Sequence, residues 1–309
     1  MDDGLSHEVF LFDGEEEFLA GMVPYAREGL AAGERVVAAL SEERGARLAA
    51  ALGTDARQVE FVDIEQAGRN PARIISMWGD RLEGPGHEPR ALRGICEPVW
   101  AGRSSDEFAE CHRHEALINL AFAEAGSWRL VCPYDVSALE PEQVELARRT
   151  HPEVWEQGSA VANSSYEQPA ELLAELEQEL PTPDGEPTRL TFGRSDVSSI
   201  RRLAASYATS AGLGDERAAD VMLAISELAT NSVVHGGGEG EIALWKEPGS
   251  LVCEVSDSGT ITDILAGRRR PDPAGENGRG IWIVNQVCDL VQVRSAPGGS
   301  VVRVQLRAA

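Results

Sequence analysis

The chain has a single lysine, Lys246, among its 309 residues. A phosphate site of the Gly-Lys-Ser/Thr type is therefore excluded. Any phosphate it holds must be met by backbone amides, arginine or a metal ion. No nucleophile elbow is present either. No stretch offers the ~18 uninterrupted apolar residues of a membrane-spanning helix. The opening Met-Asp-Asp-Gly is neither basic nor apolar, so no leader is expected. Cysteine is sparse, odd in number and scattered, at Cys96, Cys111, Cys132, Cys253 and Cys288. That usage argues against a disulfide framework and predicts a reducing, cytoplasmic setting. Positive charge is also short. The formal net charge of −23 argues against direct nucleic-acid binding.

The acidity is unevenly placed. Residues 1–150 carry 28 acidic and 15 basic side chains, and residues 151–188 carry nine acids and no base. Residues 189–309 are almost neutral, with 14 acids and 13 bases. Two domains joined by an acidic segment are expected, at 1–160 and 189–309, with 161–188 as a linker holding a short helix. Leu172, Leu173, Leu176 and Leu180 share one side of that helix, and the prolines from Pro181 to Pro187 break it. An acidic linker helix is the plain reading, and a dimer or signalling helix is the alternative.

In the first domain, short apolar runs at 9–12, 35–40, 59–64, 91–96 and 128–132 alternate with helix-length stretches. The stretches lie near 15–31, 42–52, 70–82, 105–125 and 139–150. Such alternation predicts an α/β fold, a parallel sheet with flanking helices. The second domain reads as strand, helix, helix, two strands, a Gly/Arg/Pro-rich loop, a helix, then a hairpin around Pro297-Gly298-Gly299-Ser300. Two helices on one face of a mixed sheet, an α/β sandwich, are expected.

Within that second domain, Glu227, Asn231 and His235 recur every four residues, which puts all three on one helix face. The helix is expected over 215–235, with Asp215 as N-cap and Gly236, Gly237 and Gly238 ending it in the left-handed conformation. Ala218, Val221, Met222, Ile225, Leu228, Ala229, Ser232 and Val233 form its core stripe. A carboxylate can take a proton, and an amide oxygen suits a hard cation such as Mg²⁺. Residues 251–255 form a strand that delivers Asp257-Ser258-Gly259. Asn277-Gly278-Arg279-Gly280 opens an apolar helix whose free amides and dipole attract phosphate.

This order of boxes, from Arg189 to Arg307, resembles the GHKL (Bergerat-fold) ATPases and in particular the anti-sigma-factor serine kinases. The resemblance implies ATP and Mg²⁺ as ligands. It makes Glu227 the catalytic group that orients a serine hydroxyl or a water for attack on the γ-phosphate. Asn231 would hold Mg²⁺, and His235 would cap the helix or touch the phosphates. Asp257 would accept from the adenine amino group, with Gly259 permitting close approach. Gly278 and Gly280 would present amides to the phosphates, and Arg279 would add charge. The family's second glycine after the Asp-x-Gly is replaced by Ile261. Residues 265–277 would be the ATP lid, and its Arg268, Arg269 and Arg270 read as solvated loop charge, a phosphate clamp or a partner contact, the first being adopted.

The first domain resembles the MEDS sensory domain of bacterial regulators. The resemblance rests on His7-Glu-Val-Phe-Leu-Phe12, Glu28-Gly-Leu-Ala-Ala-Gly-Glu34, Arg93, Glu97-Pro-Val-Trp100, Glu115 with Asn119, and Cys132-Pro-Tyr-Asp135. Cys111-His112-Arg113-His114 lacks a second ligand pair at metal spacing, so no zinc is expected there. The joined resemblances imply a regulator that binds a sigma factor, phosphorylates a STAS-domain antagonist, and switches partners, with a homodimer left open. The competing reading is a GHKL module that sequesters partners without phosphotransfer, which Ile261 favours. A two-component histidine kinase is disfavoured, because residues 152–234 contain no histidine to act as phosphoacceptor.

Overall fold

The computed structural model describes residues 5–83, 91–126, 128–156, 158–177, 179–183, 185–272 and 278–308. The chain divides into two compact units, Met1–Leu176 and Glu177–Ala309.

The first unit is built on seven strands. In chain order its elements are β1 (Leu5–Phe12), α1 (Gly14–Ala31), β2 (Arg35–Leu40), α2 (Glu42–Leu52), β3 (Val59–Asp63), α3 (Ile64–Ala67) and α4 (Ala72–Glu83). There follow β4 (Leu92–Cys96), α5 (Ser105–Ala121), β5 (Trp128–Asp135), α6 (Pro141–Thr150), β6 (Glu153–Glu156), β7 (Ser159–Ala162) and α7 (Pro169–Leu176). The sheet order is β3-β2-β4-β5-β1-β6-β7. Strands β1 to β6 pair in parallel, and only β7 runs antiparallel, against β6. All five expected strands are present. All five expected helices appear, but α5 ends at Ala121 rather than near 125. The stretch near 70–82 begins later, because Asn70 accepts from the backbone N–H of Ala72 and starts α4 as a separate helix from α3. Local capping explains other boundaries. Ser104 and Glu107 form a reciprocal capping box at the start of α5.

Part of the acidic stretch is folded into this unit. Strand β7 pairs with β6, and α7 packs on α5 with Leu172 and Leu173 buried. Arg149 pairs with both Glu167 and Glu175, so these acids are compensated by a base from outside the stretch. The helix ends at Leu176, so Leu180 is not on it.

The second unit comprises β8 (Thr188–Gly193), α8 (Val197–Ser210), α9 (Asp215–His235), β9 (Glu239–Glu247), β10 (Ser250–Asp257), α10 (Arg279–Val287), β11 (Leu290–Ala296) and β12 (Gly299–Arg307). Its sheet runs β11-β12-β10-β9-β8. The sheet is antiparallel throughout, not mixed. The cause is the helix pair α8–α9, which returns the chain to the end where β8 left. Gly193, the last residue of β8, lies opposite Glu239, the first of β9. The core lies between the sheet and the helices, with Ile200 and Ala204 from α8, Ile225 and Leu228 from α9, and Val284 from α10 against Ile242, Val255 and Val304. Burying one such branched side chain contributes roughly 1.5–3 kcal/mol.

At the carboxyl ends of the first unit's strands, Arg44 spans two acids. Its Nε lies 3.4 Å from Glu97 and its Nη2 3.3 Å from Asp135. Burial pushes the Glu97 carboxyl up to about 7, against the pull of Arg44. The folded state thus binds a proton that the unfolded state releases near 4.5. This proton-linked stability is present at low pH and is lost as pH rises from about 4.5 through 7, amounting to about 3 kcal/mol. Urea unfolding of the wild type should therefore weaken more steeply between pH 5 and pH 8 than that of Glu97→Gln. Equal slopes in the two proteins would contradict the burial effect.

Candidate nucleotide site

The second unit encloses a cavity of about 420 Å³ beneath the end of α9. That volume falls within the roughly 300–1,000 Å³ common for small-molecule sites. Six of the eight residues expected to form the site line it: Asn231, His235, Asp257, Gly259, Gly278 and Gly280. Glu227 and Arg279 do not. Glu227 sits at the rim, where its Oε2 would lie 3.2 Å from a Cβ placed on Gly280. Arg279 is exposed in the first turn of α10.

Asp257 is the most constrained of these groups. It ends β10, and its Oδ2 accepts from Ser232 Oγ at 2.6 Å. Its Oδ1 accepts from the Gly259 N–H at 2.8 Å and from Ser300 Oγ at 3.1 Å. Both serines are buried. Sequence reasoning placed Ser232 in the apolar stripe and gave Ser300 only a turn. Ser300 stands opposite Asp257 through the pairing of β12 with β10, 43 residues apart in the chain, which the β11–β12 hairpin does not reveal. For Ser232 no local signal existed, because its partner is 25 residues away.

The glycines are required here by close approach. A Cβ on Gly236 would come within 2.3 Å of the Asp257 carboxyl carbon, and one on Gly259 within 2.8 Å of the Gly236 Cα. A Cβ on Gly280 would meet the Asn231 amide at 2.9 Å. Gly280 thereby lets the start of α10 lie directly against Asn231 and Glu227. The N-cap of α9 is Gly214, while Asp215 and Glu216 place negative charge in the first turn, where the helix dipole favours it. At the other end Gly236 is not left-handed, whereas Gly237 and Gly238 are, with φ of 96° and 97°. Gly278 begins α10 at φ 86°.

Ile261, in place of a second glycine, points its side chain into the cavity lining and packs on the core. With Leu228, Val255, Leu265, Ile281 and Val302 it makes an apolar wall fit for a planar ring. The lid arginines differ from the expectation. Arg268 is 5% exposed, so it is no solvated loop charge, while Arg269 and Arg270 are exposed and line the cavity. Gly267 O accepts from the buried Asn285 Nδ2 at 2.9 Å, which pins that end of the loop to α10. Residues 273–277 of the expected lid, Asn277 included, lie outside the described residues.

Against known families, residues 6–152 match "MEDS: MEthanogen/methylotroph, DcmR Sensory domain", and residues 193–306 match "Histidine kinase-like ATPase domain". The chain joins a MEDS domain to a histidine kinase-like ATPase domain. No curated protein matches it. Among solved structures, it is similar to the crystal structure of the RsbU and RsbW domains of a Mycobacterium tuberculosis protein, at 20% identity and a TM-score of 0.30. That match covers 41% of this chain and 33% of the other, so the chain spans about a third of its length. No helix among the described residues is long and apolar enough to cross a membrane.

The ATPase domain implies ATP as ligand, and the cavity's donor set fits it. The Asp257 carboxylate, an apolar wall, and glycine amides at a helix start are groups that suit adenine and phosphates, and Asp263 adds a second carboxylate to the lining. Asp257→Asn should lower ATP affinity by about 1.5–3 kcal/mol, because a charge-assisted acceptor is lost from the cavity wall. Calorimetry on the full chain checks this, and equal affinities would remove Asp257 from the site.

Proposed function

We propose that the chain is a signalling regulator whose ATPase domain binds Mg-ATP and transfers the γ-phosphate to a serine of a STAS-domain antagonist. In this reading it also sequesters a sigma factor, and the MEDS domain controls the exchange. The observation that carries the reading is the contact of Gly280 with Glu227 and Asn231. It brings a carboxylate and an amide to the start of α10, where the phosphates of a nucleotide would lie. Glu227 precedes Ser232 by five residues, about 7.5 Å of helix rise. The base is thereby separated along α9 from Asp257, which Ser232 holds at the adenine end.

Each residue then has a role. Asp257 accepts from the adenine amino group. Asn231 offers its amide oxygen to Mg²⁺, which neutralises charge on the phosphates when bound. Gly278 and Gly280 offer backbone amides, and Arg269 and Arg270 supply the positive charge that lysine does not. His235, exposed at the last turn of α9, lines the cavity and would touch the phosphates. Glu227 takes the proton from the attacking serine hydroxyl. Its place at the rim leaves it open to a hydroxyl on a second protein. The sigma-factor and antagonist partners rest on the likeness of the three boxes to anti-sigma-factor serine kinases.

The second reading, a module that binds partners without phosphotransfer, is favoured by Ile261 and by the position of Glu227 outside the cavity lining. One substitution separates the two. Glu227→Ala should keep ATP affinity within about twofold yet abolish phosphate transfer, because a base acts in the transition state and not in binding. The measurement is transfer of labelled γ-phosphate to candidate STAS proteins beside calorimetric ATP affinity. A wild type that binds a sigma factor but labels no STAS protein would establish the sequestering module instead.

A further inference from the structure

The scattered residues of the MEDS domain converge on one buried point. His7 from β1, Glu115 from α5, Cys132 from β5 and His151 just after α6 are each at most 1% exposed. One ligand atom from each lies within 4.8 Å of every other. His7 Nε2 is 3.0 Å and His151 Nε2 3.4 Å from the same oxygen, Glu115 Oε2. Cys132 Sγ is 3.5 Å from His7 Nε2 and 3.9 Å from that oxygen.

The surrounding hydrogen bonds fix which atoms carry lone pairs. Asn119 Nδ2 donates to the carbonyls of Glu115 and Thr150, which turns its Oδ1 toward His7 Nδ1 at 3.0 Å. His7 Nδ1 is therefore the donor. His151 Nδ1 lies 2.7 Å from the Ala147 carbonyl, which can only accept. In its neutral form each ring therefore carries its proton on Nδ1 and turns an unprotonated Nε2 inward. Two nitrogen lone pairs and a carboxylate oxygen then face one another away from water. Such a cluster is stable only around positive charge. Tyr134 Oη donates to the other carboxylate oxygen, Glu115 Oε1, at 3.3 Å, and so fixes its rotation.

We infer that His7, Glu115, Cys132 and His151 form a site for one late first-row divalent metal ion of the zinc type in the MEDS domain. Two imidazole nitrogens, one thiolate and one carboxylate are a borderline-soft set suited to such ions. A tetrahedral ion with bonds of about 2.0–2.3 Å separates its ligands by about 3.3–3.8 Å; the spacings from Glu115 and from His7 to Cys132 run 3.0–3.9 Å, and every pair lies within 4.8 Å. Binding releases the Cys132 thiol proton to solvent. The +2 ion, the thiolate and the carboxylate then sum to zero charge, as a buried site favours. Asn119 and the Ala147 carbonyl act as positioning groups behind the two histidines. The site ties β1, β5, α5 and the end of α6 together, and it makes metal occupancy an input to the sensory domain.

The test uses the full chain without a polyhistidine tag, reduced and freed of metal. Co²⁺ is the spectroscopic probe, and Zn²⁺ is titrated against a chromophoric chelator. One ion per chain should bind, and Co²⁺ should give a thiolate-to-metal charge-transfer band. Cys132→Ser should lose the band, whereas Cys253→Ala in the ATPase domain should keep it. Asn119→Ala, which alters no ligand, should weaken zinc binding by roughly 10–100-fold. Should the Cys132 variant fail to fold, the Asn119 variant still decides the assignment. A wild type that takes up neither ion, whether added after purification or during expression, would overturn the site and leave the histidines protonated against Glu115. A band that survives Cys132→Ser would overturn it equally.

Discussion

The ATPase domain depends on one half-buried carboxylate. Asp257 accepts from Ser232 on α9, from the Gly259 backbone next to it, and from Ser300 on β12. These bonds join the long helix to two neighbouring strands at the floor of the cavity. Each contributes roughly 1.5–3 kcal/mol, as a hydrogen bond to a charged group does. Their joint effect is geometric. A carboxylate with three fixed donors has one orientation, so its remaining lone pairs face the cavity in a set direction. Gly236 and Gly259 are the cost of that arrangement, because any Cβ there would displace the carboxylate or the loop.

The same logic recurs along the last turns of α9. Gly280 lets α10 approach Asn231 and Glu227 at a distance no side chain permits. The helix dipole and free amides of α10 then point at the place where Asn231 and Glu227 project. Close backbone approach thus sets both ends of the cavity. This also explains why one lysine suffices for the whole chain. In the proposed reading phosphate recognition falls to amides, Arg269 and Arg270, while Lys246 donates to the Ser210 carbonyl at the far end of β9.

Much of this was legible in the sequence where the signal was local. The four-residue spacing on α9, the Asp-x-Gly at the end of β10 and the Gly-x-Gly at the start of α10 each depend on a few neighbouring residues. The first sheet was legible for the same reason, as apolar runs in β1 to β5 stand out against polar helices. What was not legible is what distant residues do together. Strands β6 and β7 are four residues each, and only the pairing of β6 with β1 and of β7 with β6 makes them strands. Ser232 looked like core until Asp257 was placed beside it. Arg268 looked like loop charge until the fold buried it. His7 and Cys132 stand 125 positions apart, and only the parallel pairing of β1 with β5 brings them together.

The central claim is that the Asp257 carboxylate recognises the adenine amino group within this cavity. Calorimetric titration of the full chain with ATP and then GTP, both with Mg²⁺, tests it most directly. Guanine presents a carbonyl oxygen where adenine presents the amino group, so an acceptor would meet the Asp257 carboxylate. The account predicts that ATP binds and that GTP binds at least 10-fold more weakly, the low end of the roughly 1.5–3 kcal/mol such a bond supplies. Equal affinity for the two nucleotides would contradict it.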